Sequence, residues 1–407
     1  MHNAPFTTLF SAALLLSVPA CGDDDPMTDD ASAMDETEAD GKTDDADGKT
    51  DDEPETDETT DTEGDDESSG GGSSTGDAPE PDPNALPCDP DTLGGEPIRW
   101  VINDDFEHTA HTRTLPLFDR TQPLDDGLVR IEARGLEFRA RVYGMANEGP
   151  GVVMIHGFPS SSIMWDHAAQ AAADAGYRVV AFDQRGYSPD ARPEGVESYL
   201  VTEFVDDVEA IADAVGFDRF NLVGHDVGCV VSWVHATIHG DRLDSMTCVS
   251  VSHPATLADT IINDPPEYIQ LFSLPNIPET VLAANNAEQL RSQYAFMNEA
   301  ECREYNQLFM EPDALRATID FYRGITASLM AVGDVILQPV DVPTLFVYGT
   351  GEQWVTPETL AAHPSIVTAD YTEVELSDAG PTGHFVVEAR RERVTELVLE
   401  HLDTFGG

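Results

Sequence analysis

The stretch Phe220-Asn-Leu-Val-Gly-His-Asp-Val-Gly228 constrains this chain more than any other. A short apolar run ends in Gly224-His225-Asp226-Val227-Gly228, and a helix-like run, Cys229–Ala236, follows at once. Strand, sharp turn and helix in that order form an elbow that lifts one side chain above a sheet. Here that side chain is Asp226, where the commoner G-x-S-x-G form carries Ser. Glycines on both sides let the main chain bend tightly and let helix and strand pack closely. The positive end of the following helix then points at the carboxylate. A lone Gly-x-Asp-x-Gly is more often a loop with a helix-capping Asp, so the rest of the chain has to decide.

From Gly127 onward strand-like and helix-like runs alternate. Leu128–Ala133 and Leu136–Tyr143 read as paired strands around Arg134-Gly135. Val152–Ile155 is the continuous apolar run expected of a strand covered on both faces. Helices over Met164–Ala175 and Thr202–Val215 precede strands over Arg178–Phe182 and Phe220–Val223. Strands over Ser245–Val251, Thr344–Tyr348 and Thr372–Leu376 follow, with a last helix over Arg393–Leu402. This alternation predicts an α/β fold, a mostly parallel sheet with helices on both faces. Residues 254–338 break the rhythm and read as all helix, a cap inserted into a core formed by residues 127–253 and 339–407. Residues 85–126 have few periodic runs and are read as an extension along the edge of that core.

The charge balance excludes some partners. The chain holds 21 basic against 77 acidic side chains, a formal net charge of −56. No Lys occurs after Lys49, so every basic side chain of the folded part is Arg. An acidic surface of this kind argues against nucleic acid or an anionic membrane as a partner. Residues 22–84 are Asp, Glu, Thr, Gly and Ser with almost nothing apolar, too little to offset the entropy of ordering. They are expected to be a disordered, self-repelling tether. The repeated Asp-Gly-Lys-Thr-Asp-Asp, at 40–45 and 47–52, lacks the first glycine and preceding strand of a phosphate loop.

The amino terminus reads as an export signal. Phe6–Val18 is apolar but too short to span a membrane as an ordinary helix. Leu16-Ser-Val-Pro-Ala-Cys21 resembles the lipobox of bacterial lipoproteins, with residues 1–21 as signal peptide and Cys21 as the lipidated residue. A plain signal peptide cleaved nearby is the alternative. The expected location is the cell envelope, with the membrane reached only through the lipid, or else secretion. Cys229 and Cys248 lie in apolar runs and read as small buried core residues rather than bridge partners. Cys88 and Cys302 have the option of pairing in an oxidising compartment. No spacing resembles a metal site.

Four motifs stand in order, each at a strand end. They are His156-Gly-Phe-Pro159, Asp183-Gln-Arg-Gly-Tyr-Ser188, Gly224-His-Asp-Val-Gly228 and Gly383-His384-Phe385. On these, the chain from Gly127 onward resembles the α/β-hydrolases with a helical cap, and most of all their epoxide hydrolase branch. The resemblance implies an eight-stranded, mostly parallel sheet and an active site of named residues. Asp226 is the nucleophile, since a carboxylate can attack an sp³ carbon to leave an alkyl–enzyme ester. His384 is the base that activates water. The main-chain N–H groups of Phe158 and Val227 form the oxyanion hole. The acid that orients the His usually follows the strand Thr344–Gly349 as an Asp three residues on. Here Glu352 holds that position, with Asp378 as the fallback.

Epoxide opening creates an alkoxide, and the branch places two cap tyrosines to donate to it. Tyr268, in Tyr268-Ile-Gln-Leu-Phe-Ser-Leu-Pro275, matches the first segment. Tyr322, in Asp-Phe-Tyr322-Arg323, matches the second, with Asp-Phe where the family has Asn-Trp. Either alone would be packing, as Tyr294 and Tyr305 are read to be. Trp165 and His225 are expected to contact substrate. The implied partner is a small-molecule epoxide or related electrophile; no cofactor or metal is implied, because nucleophile, base and donors are all protein groups. The sequence says nothing of oligomeric state. A haloalkane or haloacid dehalogenase would use the same Asp, His and acid. Haloalkane dehalogenases, however, usually place Trp after the nucleophile, where this chain has Val227. Ser160 also departs from the acidic residue that often follows His-Gly-Phe-Pro in epoxide hydrolases. A non-catalytic binding module on the same scaffold is the third alternative.

Overall fold

The computed structural model describes residue 88 and residues 107–122, 125–294, 296–309, 311–377 and 383–407. The leader with Cys21, the acidic stretch 22–84 and Asp378 lie outside the described residues. A short helix, α1 (Glu107–Thr114), precedes the hairpin β1 (Gly127–Ala133) and β2 (Leu136–Tyr143). There follow β3 (Gly151–Ile155), α2 (Asp166–Asp174), β4 (Arg178–Phe182), α3 (Val201–Val215), β5 (Phe220–His225), α4 (Val227–Ile238) and β6 (Leu243–Val249). Six helices then come in succession. They are α5 (Pro254–Asn263), α6 (Glu267–Phe272), α7 (Ile277–Arg291), α8 (Glu299–Phe309), α9 (Pro312–Arg323) and α10 (Ile325–Val332). The chain closes with β7 (Thr344–Gly349), α11 (Pro357–Ile366), β8 (Tyr371–Leu376), α12 (Val386–Ala389) and α13 (Arg391–Phe405).

The strands form one eight-stranded sheet in the order β1-β2-β4-β3-β5-β6-β7-β8. The pairs β1–β2 and β2–β4 are antiparallel, and β3 to β8 are parallel to one another. Period-two alternation sends successive side chains to opposite faces. Val153, Ile155, Val180, Phe182 and Leu222 enter one apolar cluster; Val152, Met154, Val179, Ala181 and Val223 enter the other. Side chains of α3 and α4 cover the first face, and those of α2 and α13 cover the second.

Helix α3 shows why sequence spacing suffices for such a layer. Val201, Phe204, Val205, Val208, Ile211, Ala212 and Val215 are buried at helical spacing, and Gly216 ends the helix in the left-handed conformation at φ 82°. Burying one such large side chain stabilises the fold by roughly 1.5–3 kcal/mol. Helix α4 differs, with nearly every residue from Val227 to Ala236 buried. It is enclosed rather than amphipathic, as befits the helix behind the elbow.

Two disulfides are present, and one corrects the sequence expectation. Cys229 at the start of α4 is bonded to Cys248 of β6, with Cα atoms 5.0 Å apart. Both residues are fully buried, but they are partners rather than independent packing groups. The reason lies in the elbow glycines. A Cβ on Gly224 would meet the Gly228 carbonyl at 2.3 Å, so only glycine lets the helix lie this close to the sheet. Cys88 is bonded to Cys302 of α8. Asn306 Nδ2 also donates to the Cys88 carbonyl at 3.1 Å, and the Thr109 N–H of α1 donates to Glu311 Oε1 at 2.9 Å. Further on, the Phe118 N–H donates to the Arg130 carbonyl of β1 and the Arg130 N–H donates to the Pro116 carbonyl, so residues 116–118 cover that edge of the sheet.

The six successive helices are anchored to the sheet by charge. Glu304 of α8 is buried between Arg139 and Arg141, which alternate onto one face of β2. Its Oε2 lies 2.8 Å from Arg139 Nη2, Arg141 bonds the same carboxylate, and Ser161 Oγ donates to it. Asp183 at the end of β4 accepts from Arg139 at 2.9 Å and from the Ser162 N–H at 2.7 Å. Among the described residues, no helix is long and apolar enough to cross a membrane.

Candidate active site

Asp226 stands between β5 and α4 at φ 51° and ψ −116°, a strained main-chain conformation for a non-glycine residue. Val230 N–H bonds back to the Asp226 carbonyl, and Asp226 N–H donates to the Val249 carbonyl, so helix and neighbouring strand both fix the turn. Phe158 N–H donates to Asp226 Oδ2 at 2.8 Å. Gly157 makes this approach possible, since a Cβ there would meet the Asp226 side chain at 2.4 Å. Val227 opens α4, so its N–H is among those a helix leaves without an internal acceptor.

His384 follows β8 and precedes α12. Its Nε2 lies 3.5 Å from Asp226 Oδ1, and its Nδ1 lies 2.7 Å from Glu352 Oε2. Glu352 is buried, and its other oxygen accepts the Trp354 N–H at 3.0 Å. Thus Asp226, His384 and Glu352 form one line of hydrogen-bonding groups. Burial works against charge on the imidazole, but Glu352 and Asp226 outweigh it and hold His384 well above the usual His range. Burial likewise pushes the Asp226 carboxyl up, while the His384 charge and the Phe158 N–H bring it below the ordinary value.

Tyr268 of α6 and Tyr322 of α9 are buried side by side, ring centroids 6.2 Å apart. Burial first, and the Asp226 charge second, push both phenols well above their ordinary range, so both are protonated donors. The surrounding walls are aromatic. Phe158 packs edge-on against Phe272, Phe309 and Tyr322 at 5.6–5.7 Å. Trp354 meets Tyr268 at 6.3 Å. Tyr294 and Tyr305 lie against each other elsewhere, 5.3 Å apart.

Two expected substrate contacts are corrected. Trp165 is fully buried in the cluster on the opposite face of the sheet, among Met154, Val347 and Val386. The 3-10 turn Ser162–Trp165 turns its ring under the sheet. His225 is also fully buried, and its Nε2 donates to the His384 carbonyl at 3.0 Å. It supports the loop of His384 rather than facing a ligand. No motif or periodicity points to Trp354 or to Ser250, whose Oγ donates to the same carbonyl at 2.8 Å. Glu304 was overlooked as well. Arg139 and Arg141, two charges on one face of an apolar strand, were a signal that a buried acid must come from elsewhere. Among the described residues no group of three or more His, Cys, Asp or Glu side chains is arranged to hold a metal ion.

A sheet of this order with an elbow and a His at its carboxyl end defines a hydrolase of the α/β type. Residues 150–387 match the family model described as alpha/beta hydrolase fold, and the chain belongs to that family. It is 27% identical over 306 residues to epoxide hydrolase A of Mycobacterium tuberculosis, a match covering 65% of this chain and 94% of the relative. It is 30% identical over 212 residues to the AB hydrolase superfamily protein YfhM of Bacillus subtilis, covering 49% and 74%. Among solved structures, epoxide hydrolase A of Mycobacterium thermoresistibile superposes with a TM-score of 0.59 at 23% identity, over 69% of this chain and 98% of that one. An epoxide hydrolase of Vigna radiata gives 0.61 at 22%, with the same coverage. At such identities the superpositions speak for the fold. The protein is a hydrolase, similar in sequence to epoxide hydrolases.

Proposed function

We propose that the protein converts an epoxide to a vicinal diol through an ester on Asp226. The observation that carries this reading is the pair of buried phenols, Tyr268 and Tyr322, facing the Asp226 charge beside the His384–Glu352 pair. Asp226 Oδ2 already accepts a main-chain N–H, so Oδ1, 3.5 Å from His384 Nε2, is the attacking oxygen. It attacks a ring carbon, the C–O bond breaks, and the tyrosines donate to the oxygen that becomes an alkoxide. Loss of the Asp226 charge then removes one of the two anions that hold the proton on His384. The imidazolium gives up that proton to neutralise the alkoxide, and the neutral imidazole then takes a proton from water, a contribution typically worth about 10²- to 10⁴-fold. The water attacks the ester carbonyl, and its Oδ2 gathers charge against the N–H groups of Phe158 and Val227. Glu352 keeps the imidazole oriented and stabilises its charged form.

The aromatic walls favour an apolar or aryl substituent on the epoxide. The test is diol and halide analysis with panels of epoxides and haloalkanes. Diol formation slowed roughly 10²-fold in each of Tyr268→Phe and Tyr322→Phe supports the reading. Halide release without diol would make the protein a dehalogenase and the tyrosines packing.

We further propose export to the cell envelope by a lipid on Cys21, with residues 22–84 as the tether. Support comes from the two disulfides, which suit an oxidising compartment. Mass spectrometry of the mature amino terminus tests this, and an intact Met1 would sink it.

A further inference from the structure

The main chain of His384 is held by the same two strand ends that hold the nucleophile. At the end of β5, His225 Nε2 donates to the His384 carbonyl at 3.0 Å, and the next residue is Asp226. At the end of β6, the Val249 carbonyl accepts the Asp226 N–H at 3.2 Å. The next residue there, Ser250, donates from Oγ to the His384 carbonyl at 2.8 Å. A carbonyl can only accept, so the hydroxyl spends its one proton on this bond. Ser250 is fully buried, and its N–H donates to the Val347 carbonyl of β7 at 2.9 Å. Its main chain stands at φ 77°, a left-handed conformation that glycine adopts freely and serine does not. A glycine here would be relaxed and would bring no hydroxyl into the interior. The serine is strained and polar, and its hydroxyl is bonded to the residue that carries the base.

We propose that Ser250 is a positioning residue that sets where the His384 imidazole stands relative to Asp226, acting through the His384 carbonyl. Glu352 orients the ring through Nδ1, while Ser250 and His225 fix the main chain from which the ring projects. The role rests on the epoxide reading above and deepens it. Ring opening draws mainly on Asp226 Oδ1 and the two phenols, and asks little of the imidazole position. Ester hydrolysis asks more, because a water must lie within hydrogen-bond reach of Nε2 and in line with the ester carbonyl carbon. Nε2 is 3.5 Å from Asp226 Oδ1, and a displacement of about 1 Å in such an arrangement can cost roughly 10²-fold. Loss of the Ser250 hydroxyl therefore falls on the second step.

The experiment compares Ser250→Gly with Ser250→Ala in the full chain. Glycine relieves the strain at φ 77° and alanine keeps it, so Ser250→Gly should melt at the higher temperature. Both lack the hydroxyl, so both should hydrolyse the Asp226 ester roughly tenfold more slowly, the equivalent of one hydrogen bond. Ester formation should change less than about twofold in either. Rapid-quench mass spectrometry of a single turnover reads the two steps. A role confined to packing would make activity follow stability, with Ser250→Gly the faster enzyme. That result, or wild-type ester hydrolysis in Ser250→Gly, overturns the positioning role alone. Ser250→Gly combined with His225→Ala should lose more than about 10²-fold, because both donors to the carbonyl are then gone. A double variant no slower than His225→Ala also overturns the role. Absence of an ester from the wild-type protein with every epoxide would sink the functional reading and this role with it.

Discussion

His225 donates its Nε2 proton to the main-chain carbonyl of His384 at 3.0 Å, and the two rings lie 5.0 Å apart. The bond fixes the tautomer, because a carbonyl can only accept. Nδ1 is buried without a partner, and burial, reinforced by the charge of His384, brings the imidazole down to about 4. His225 is therefore neutral at ordinary pH and always donates. His225→Ala should slow hydrolysis of the Asp226 ester roughly tenfold, with ester formation changed less, since Ser250 alone then holds the His384 carbonyl. His225→Gln, which keeps a donor, should recover part of the loss. Rapid-quench mass spectrometry separates the two steps. Slower ester formation with normal hydrolysis would restore the substrate-contact role instead.

The ester route fixes where each oxygen goes. With enzyme in excess over epoxide in H₂¹⁸O, the first-turnover diol should carry no label, because its new oxygen is Asp226 Oδ1. The peptide containing Asp226 should gain one ¹⁸O. Glu352→Gln removes the anion 2.7 Å from His384 Nδ1 and should slow the hydrolytic step by about 10² or more. The ester then accumulates, visible as intact protein heavier by one substrate. Label in the diol after one turnover would mean direct attack by water, with no ester on the path.

How far the sequence could be read follows the physics of each signal. Strands such as Val152–Ile155 were legible because burial on both faces demands an unbroken apolar run, and α3 because one buried stripe repeats at helical spacing. The elbow was legible because glycine is obligatory where a Cβ would meet the Gly228 carbonyl at 2.3 Å. The contacts that link elements were not. Cys229 and Cys248 look like apolar core residues until the helix is laid on β6, since nothing local encodes a distance between two elements. Trp165, expected at the substrate, packs in the other cluster, and nothing in the local sequence shows which face of the sheet a ring in the 3-10 turn Ser162–Trp165 meets. Trp354 lies in an irregular loop, where no periodicity reports burial.

The Glu304 anchor predicts a large and pH-dependent loss of stability. Burial alone would raise the Glu304 carboxyl, but Arg139 and Arg141 outweigh it and hold it well below the usual range. A depressed carboxyl stabilises the fold above its unfolded value near 4.5, and that stabilisation is lost as pH falls through the folded value. Glu304→Ala leaves two buried guanidinium groups short of a partner, although Arg139 keeps Asp183. Removing one member of such a buried set costs roughly 3–5 kcal/mol. Urea denaturation at pH 7 should show a drop of that size, and the difference from wild type should shrink in acid. A loss under about 1 kcal/mol would mean that the α8–sheet contact is held by packing alone.

Glu388 reverses that sign. It lies one turn beyond His384, is 5% exposed, and neither carboxylate oxygen has a hydrogen-bond partner. The charged groups around it are Glu301 and Arg391, which pair with each other, and His384; the buried phenol of Tyr305 also feels its charge. Burial first, and the Glu301 charge second, push the Glu388 carboxyl up to about 7 against an ordinary value of 4.5. Between those values the folded protein holds a proton that the unfolded chain releases, so stability is fully present below about 4.5 and falls as pH rises toward 7. The shift corresponds to about 3 kcal/mol lost by pH 8, at 1.36 kcal/mol per unit. Glu388→Gln keeps the shape without the charge. It should therefore raise urea stability by about 3 kcal/mol at pH 8 and by less than about 1 kcal/mol at pH 5. An equal gain at both pH values would show that the carboxyl does not titrate in this range, and that its burial is offset by a partner other than a proton.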